Sequence, residues 1–126
     1  MLYAITDIET TGSYAGAHGI TEICVLVTDG KQVLERFETL VNPGVYIPRH
    51  ITALTGITNE MVAGAPAFSE IAASLYQLLE GKVFVAHSVN FDFSFINAQL
   101  KHQGFELKTK KLCTVRYGKK VVPGLP

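Results

Sequence analysis

The sequence predicts an α/β domain: a three-strand antiparallel meander, then helix, strand and helix, giving one mixed sheet with helices packed on it. Three observations lead there. The first forty residues hold three β-favouring apolar runs separated by short turn signals. From Phe68 the apolar residues Phe68, Ile71, Ala72, Leu75, Leu78 and Leu79 recur at helical spacing on one face. A short apolar run at Val83–Ala86 then separates that helix from a second one at Asn90–Gln103.

Each element has a local cause. Leu2–Ile8 is apolar and β-favouring and runs into a turn at Thr10-Thr11-Gly12. Ser13–Gly19 is small and glycine-rich, a loop. Ile20–Thr28 is the second strand, Asp29-Gly30 a hairpin signal, and Lys31–Val41 the third strand, with Val33, Phe37 and Leu40 among its apolar positions. Asn42-Pro43-Gly44 breaks the pattern, and Pro48–Thr58 reads as a short helix capped by Gly56. Ser69 fits the N-cap region of the helix that follows, and Gly81 fits its C-terminal stop. Gly104 ends the helix at Asn90–Gln103, and Leu112–Val115 is a further candidate strand. Val121–Pro126 has a loop signal and no terminal element, which leads us to expect a chain shortened at its C-terminus.

Composition narrows the function classes. The chain has 126 residues, 48% hydrophobic and 17% charged, which is one globular domain rather than two, and not a disordered chain. No apolar stretch approaches the roughly 18 residues of a membrane span, and the start reads as a strand rather than a signal peptide. Cys24 and Cys113 are too far apart in sequence to suggest a metal pair or a disulfide framework. A cytoplasmic protein without membrane partners is expected. Eleven basic and eleven acidic residues balance to zero net charge. Long nucleic acid gripped by charge alone calls for a basic surface, so any nucleic-acid affinity must come from a local site.

Two carboxylate signals carry chemistry. Side chains two apart on a strand share a face, so Asp7 and Glu9 stand side by side at the end of the first strand. Like charges that close raise each other's proton affinity, and a divalent cation between them relieves the repulsion. Oxygen-only ligands suit Mg²⁺ or Mn²⁺ better than zinc. In isolation a D-x-E at a strand end is more often a solvated polar end. Asp92, flanked by Phe91, Phe93 and Phe95, lies in the first turn of its helix. Alone, it is most simply an acid stabilising the helix N-terminus. Because that helix follows a buried strand and His87, Asp92 could also meet Asp7 and Glu9 across the sheet.

These residues also carry a resemblance. Asp7-Ile8-Glu9-Thr10-Thr11-Gly12 resembles the first motif of the DEDD exonuclease superfamily, and the segment His87–Phe95 (HSVNFDFSF) resembles its second. Between them, Ile51–Thr58 (ITALTGIT) is similar to a segment common in the group containing the epsilon proofreading subunit of bacterial DNA polymerase III. The similarity covers essentially the whole chain and is nearest to the histidine-bearing DEDDh branch. It implies a ribonuclease H-like fold and 3′→5′ removal of nucleoside 5′-monophosphates from single-stranded ends. It also implies two divalent cations, Mg²⁺ or Mn²⁺, held by four carboxylates, three of them matched by Asp7, Glu9 and Asp92 as the catalytic and metal-binding set. Thr10, Thr11 and Gly12 would face the terminal nucleotide, the threonines as donors. Leu54 and Phe91 would form apolar walls for its base, core packing being the plainer alternative, and Thr55 and His87 would line the site.

The family's last motif, a histidine followed by an aspartate, has no match. His18, His50 and His102 are wrongly placed for it and read as surface or loop residues. Residues 1–126 therefore read as the N-terminal and central part of an exonuclease domain that lacks the helix with the last motif. Ser88 stands where many members carry asparagine, which puts one supporting contact in doubt. The expected partner is a single-stranded 3′ end, DNA favoured over RNA, with a DNA polymerase subunit or a fused domain as a further partner. The alternatives are a ribonuclease of the same superfamily and a catalytically weak binding or assembly module.

Overall fold

Residues 1–113 are described by the structure, a computed structural model. Strands β1 (Tyr3–Thr10), β2 (Ile20–Thr28) and β3 (Val33–Leu40) come first. Helices α1 (Arg49–Thr55), α2 (Asn59–Ala63) and α3 (Phe68–Leu79) follow, then β4 (Val83–Ala86), α4 (Val89–His102) and β5 (Lys111–Cys113). The strands form one sheet in the order β3-β2-β1-β4-β5. β1, β2 and β3 pair antiparallel as the expected meander, while β4 runs parallel to β1 and β5 parallel to β4. Parallel neighbours need a long crossover, and the helices supply it.

Alternation along β1 divides the sheet into two faces. Ala4, Thr6, Ile8 and Thr10 are buried, while Tyr3, Ile5, Asp7 and Glu9 point the other way and are more exposed. The buried side packs under α3 and α4. Ala4, Ile8, Ile23, Val25 and Phe84 meet Phe68, Ala72, Leu75 and Leu79 of α3 and Phe95, Ile96 and Leu100 of α4 in one apolar cluster. Each fully buried Leu or Phe here stabilises the fold by about 1.5–3 kcal/mol relative to exposure. A second, smaller cluster of Ile47, Ile57 and Val62 anchors the α1–α2 region.

The structure redraws several boundaries. The helix expected over Pro48–Thr58 is two helices. Gly56, at φ 78°, ends α1 in a left-handed conformation, and Thr58 then caps α2 by accepting the Met61 N–H at 3.1 Å. Ser69 is not the cap of α3. Ala67 is, because the Asn42–Ala67 bridge holds the chain extended up to the turn that buries Phe68. β3 is an edge strand whose Val33 and Leu34 are about half exposed, and charged Glu35, Arg36 and Glu38 share it. Gly81 (φ 76°) follows α3 as expected, and α4 starts one residue earlier than expected, at Val89. Of the strand expected at Leu112–Val115, Leu112 and Cys113 lie in β5; residues 114–115 and the terminal loop at 121–126 lie outside the described residues. No helix among the described residues is long and apolar enough to cross a membrane.

Candidate active site

The pairing of β1 with β4 stops at Ile5↔Val85, three residues before Ile8. The chain leaves β4 at Ala86, passes His87 and enters α4 at Val89, so the first turn of α4 stands beside the far end of β1. Asp92 fills the resulting gap. It is 6% exposed, and the backbone N–H of Ile8 is near enough to favour its charged form. Its own N–H bonds Ser88 O at 3.0 Å, an ordinary first-turn helical bond.

Asp7 and Glu9 stand on the opposite face of β1 from the helices, near enough to Asp92 for their charges to act on it. Burial, then the charge of Asp7, push the Asp92 carboxyl up to about 7, against the pull of the Ile8 and Asp92 N–H groups. Glu9 is raised too, by burial, then by Asp7 and Glu22. Glu22 lies directly across the ladder from Glu9, and Cys24 lies across from Asp7. Neither cross-strand neighbour was legible in the sequence, because the Ser13–Gly19 loop hides the register of the two strands.

The three expected ligands are therefore neighbours, though not drawn around a common centre. Among the described residues, no three His, Cys, Asp or Glu side chains are gathered tightly enough to hold one ion. The donor chemistry nonetheless fits a hard divalent cation: all three side chains offer oxygen, and two of them resist ionisation when no cation compensates their charge.

The Thr10-Thr11-Gly12 turn is tied to the start of β2. Thr11 N–H donates to Gly19 O at 2.9 Å, and Gly19 N–H donates to the Thr11 hydroxyl at 3.1 Å. The Thr10 hydroxyl donates to Gly12 O at 2.6 Å. The threonine hydroxyls, expected as donors to a nucleotide, here hold the loop itself, because both side chains are buried. His18 belongs to this loop but is turned inward, half-buried, with its ring against Gly12. His50 and His102 are exposed, as expected.

Leu54 and Phe91 are not core residues. Leu54 is 81% exposed on α1, a helix that buries none of its residues. Phe91 is 38% exposed at the start of α4, its ring 5.0 Å from that of Phe95. Thr55 helps to finish α1: its hydroxyl donates to Ile51 O at 3.0 Å and accepts from Ile57 N–H at 3.1 Å. His87 is exposed, and its carbonyl accepts from Cys113 Sγ at 2.9 Å. Ser88 is the N-cap of α4 and makes no side-chain capping bond there.

The exonuclease family RNase_T matches residues 4–126. The chain belongs to this family. Among its relatives, the 3′-5′ exonuclease DinG of Bacillus subtilis (strain 168) is 39% identical over 124 residues, which is 97% of this chain and 13% of DinG. The DNA polymerase III subunit epsilon of Aquifex aeolicus (strain VF5) is 34% identical over 124 residues, 98% of this chain and 61% of that subunit. The chain thus spans less than two thirds of either relative.

Among solved structures, exonuclease X in complex with 5′ overhanging duplex DNA matches with a TM-score of 0.71 at 27% identity, covering 98% of this chain and 66% of that one. E. coli exonuclease I in complex with a dA16 oligonucleotide matches with a TM-score of 0.82 over 94% of this chain and 28% of that one. At 14% identity the latter is a likeness of fold. The expected ribonuclease H-like mixed sheet is therefore present, and divalent metal ions are a general feature of the family.

Proposed function

We propose that residues 1–126 form the N-terminal and central part of a 3′→5′ exonuclease domain that removes nucleoside 5′-monophosphates from single-stranded DNA ends. The observation that carries this is the buried Asp92, whose charge is disfavoured beside Asp7 and Glu9. A structural acid at a helix N-terminus has no reason to sit where two other carboxylates oppose it. Asp7, Glu9 and Asp92 are the residues that would hold two divalent cations, Mg²⁺ or Mn²⁺. When bound, such a pair supplies an activated water and neutralises charge on the leaving 3′ oxygen.

The chain's own groups do the rest. The turn at Thr10–Gly12 borders the carboxylates and presents its backbone to the terminal nucleotide. Phe91 and Leu54, exposed and apolar, offer surfaces for the terminal base, and contacts of that kind read no sequence. His87 and Thr55 line the same region. Asp92 is the last aspartate of the sequence, so the family's final histidine–aspartate pair, to which removal of a proton from the water would fall, has no match in residues 1–126.

DNA is favoured over RNA because a polymerase III subunit is among the relatives and exonucleases I and X are seen with DNA. The match to short portions of DinG and of a PolC-type polymerase supports work as a module of a longer chain or beside a polymerase. The test uses the full-length natural protein with a 3′-blocked and an unblocked single-stranded oligonucleotide, in Mg²⁺, Mn²⁺ or EDTA. Mononucleotides released only from the unblocked strand, and only with metal, are expected. Inactivity of the full-length protein in both metals would transfer the reading to a nucleic-acid-binding or assembly module.

A further inference from the structure

Gly12 and His18 form a contact that the exonuclease reading does not use. A side-chain carbon built on Gly12 would lie 2.6 Å from His18 Cδ2, 2.6 Å from Nε2 and 2.7 Å from Cε1. Three ring atoms at nearly equal distance mean that the face of the imidazole covers the position where Gly12 lacks a side chain. Gly12 itself has no positive φ, so its backbone would accept any residue. The ring, not the backbone, makes glycine necessary there.

The other edge of the ring is also engaged. His18 Nδ1 accepts the Tyr14 N–H at 2.9 Å, and His18 N–H donates to Tyr14 O at 2.7 Å. The loop is closed from within at Tyr14–His18 and from outside by the Thr11–Gly19 pair of bonds. An Nδ1 that accepts leaves the neutral ring's proton on Nε2. His18 therefore ties Gly12, at the end of the Thr-Thr-Gly turn, to Tyr14 within the loop that Thr11 and Gly19 close.

We propose that His18 is a positioning residue of the exonuclease reaction: its ring sets the path of Thr11–Gly12, and so the seating of the terminal nucleotide against Asp7 and Glu9. This rests on the exonuclease reading. Displacement of a substrate-positioning group by about 1 Å costs on the order of a hundredfold in rate. His18→Ala in the full-length protein should lower kcat about ten- to a hundredfold on an unblocked single strand while KM moves less than about threefold. His18→Asn keeps an acceptor oxygen near the place of Nδ1 but lacks the ring face, and should recover only part of that loss. Gly12→Ala should lower Tm by several degrees with His18 present, and by clearly less in the His18→Asn background, where the space is open.

The wild-type protein supplies a readout independent of any variant's folding. At pH 8.5, imidazole ¹⁵N shifts should show His18 with its proton on Nε2 and an unprotonated, hydrogen-bonded Nδ1. A proton on Nδ1 overturns the proposal. So does wild-type kcat in His18→Ala, or a Gly12→Ala penalty that is the same with and without the ring. If the wild-type protein degrades no DNA, the exonuclease reading fails first, and the proposed role of His18 in that reaction fails with it.

Discussion

Replacing Asp92 by asparagine should stabilise the metal-free protein at alkaline pH and remove its response to metal. A rise in proton affinity from 3.8 to about 7 is about three powers of ten. At about 1.4 kcal/mol per power of ten, holding Asp92 ionised in the folded state costs at most about 4 kcal/mol. The sign follows from the raised value. The contribution of Asp92 to stability is complete below pH 3.8 and is lost as pH rises through about 7. Asparagine removes the titration at nearly the same size and keeps an acceptor oxygen. Urea unfolding in EDTA at pH 5 and pH 8 measures the difference. The wild type should lose about 2–3 kcal/mol relative to Asp92→Asn between those two pH values, the share of the effect that falls between pH 5 and about 7. Millimolar Mn²⁺ should then restore stability to the wild type at pH 8 and do little for the variant, because a ligand that binds only the folded state stabilises it by mass action. Parallel pH profiles for the two proteins, or a less stable Asp92→Asn at pH 8 in EDTA, would refute the assignment of a buried, cation-dependent carboxylate.

Three further outcomes are expected. Asp7→Ala should lower exonuclease activity by about three orders of magnitude or more, since a metal supplies several kcal/mol of transition-state stabilisation. Its metal-free stability should not fall, because Asp7 is exposed and is one of the groups opposing ionisation of Asp92; unfolding in EDTA and a mononucleotide-release assay check both halves. Leu54→Ala, at a residue 81% exposed, should change stability by no more than about 0.5 kcal/mol while raising KM for a single strand several-fold, measurable by steady-state kinetics. Leu75→Ala, at a fully buried position between α3 and the sheet, should cost about 2–5 kcal/mol by urea unfolding and leave the activity of the molecules still folded unchanged.

The sequence by itself determined what depends on neighbours along the chain. β-favouring apolar runs bounded by turn signals marked β1 and β2, helical spacing marked α3, and Gly56, Gly81 and Gly104 marked helix stops, because strand propensity, helix pitch and left-handed backbone are local properties. The same locality put Asp7 and Glu9 on one face and Asp92 in the first turn of a helix. What needed the fold were relations between distant segments. The seating of the α1–α2 region involves the packing of Ile47 against Ile57 and Val62. The exposure of Leu54 depends on how little of α1 the rest of the chain covers. The burial of Asp92 follows from the end of β1–β4 pairing at Ile5↔Val85. The inward turn of His18 follows from a loop closed across eight residues by Thr11 and Gly19. Charge type and residue spacing are written in the chain, but desolvation and contact across a sheet arise only when strands far apart in sequence are brought together, and those two terms give Asp92 and His18 their chemistry.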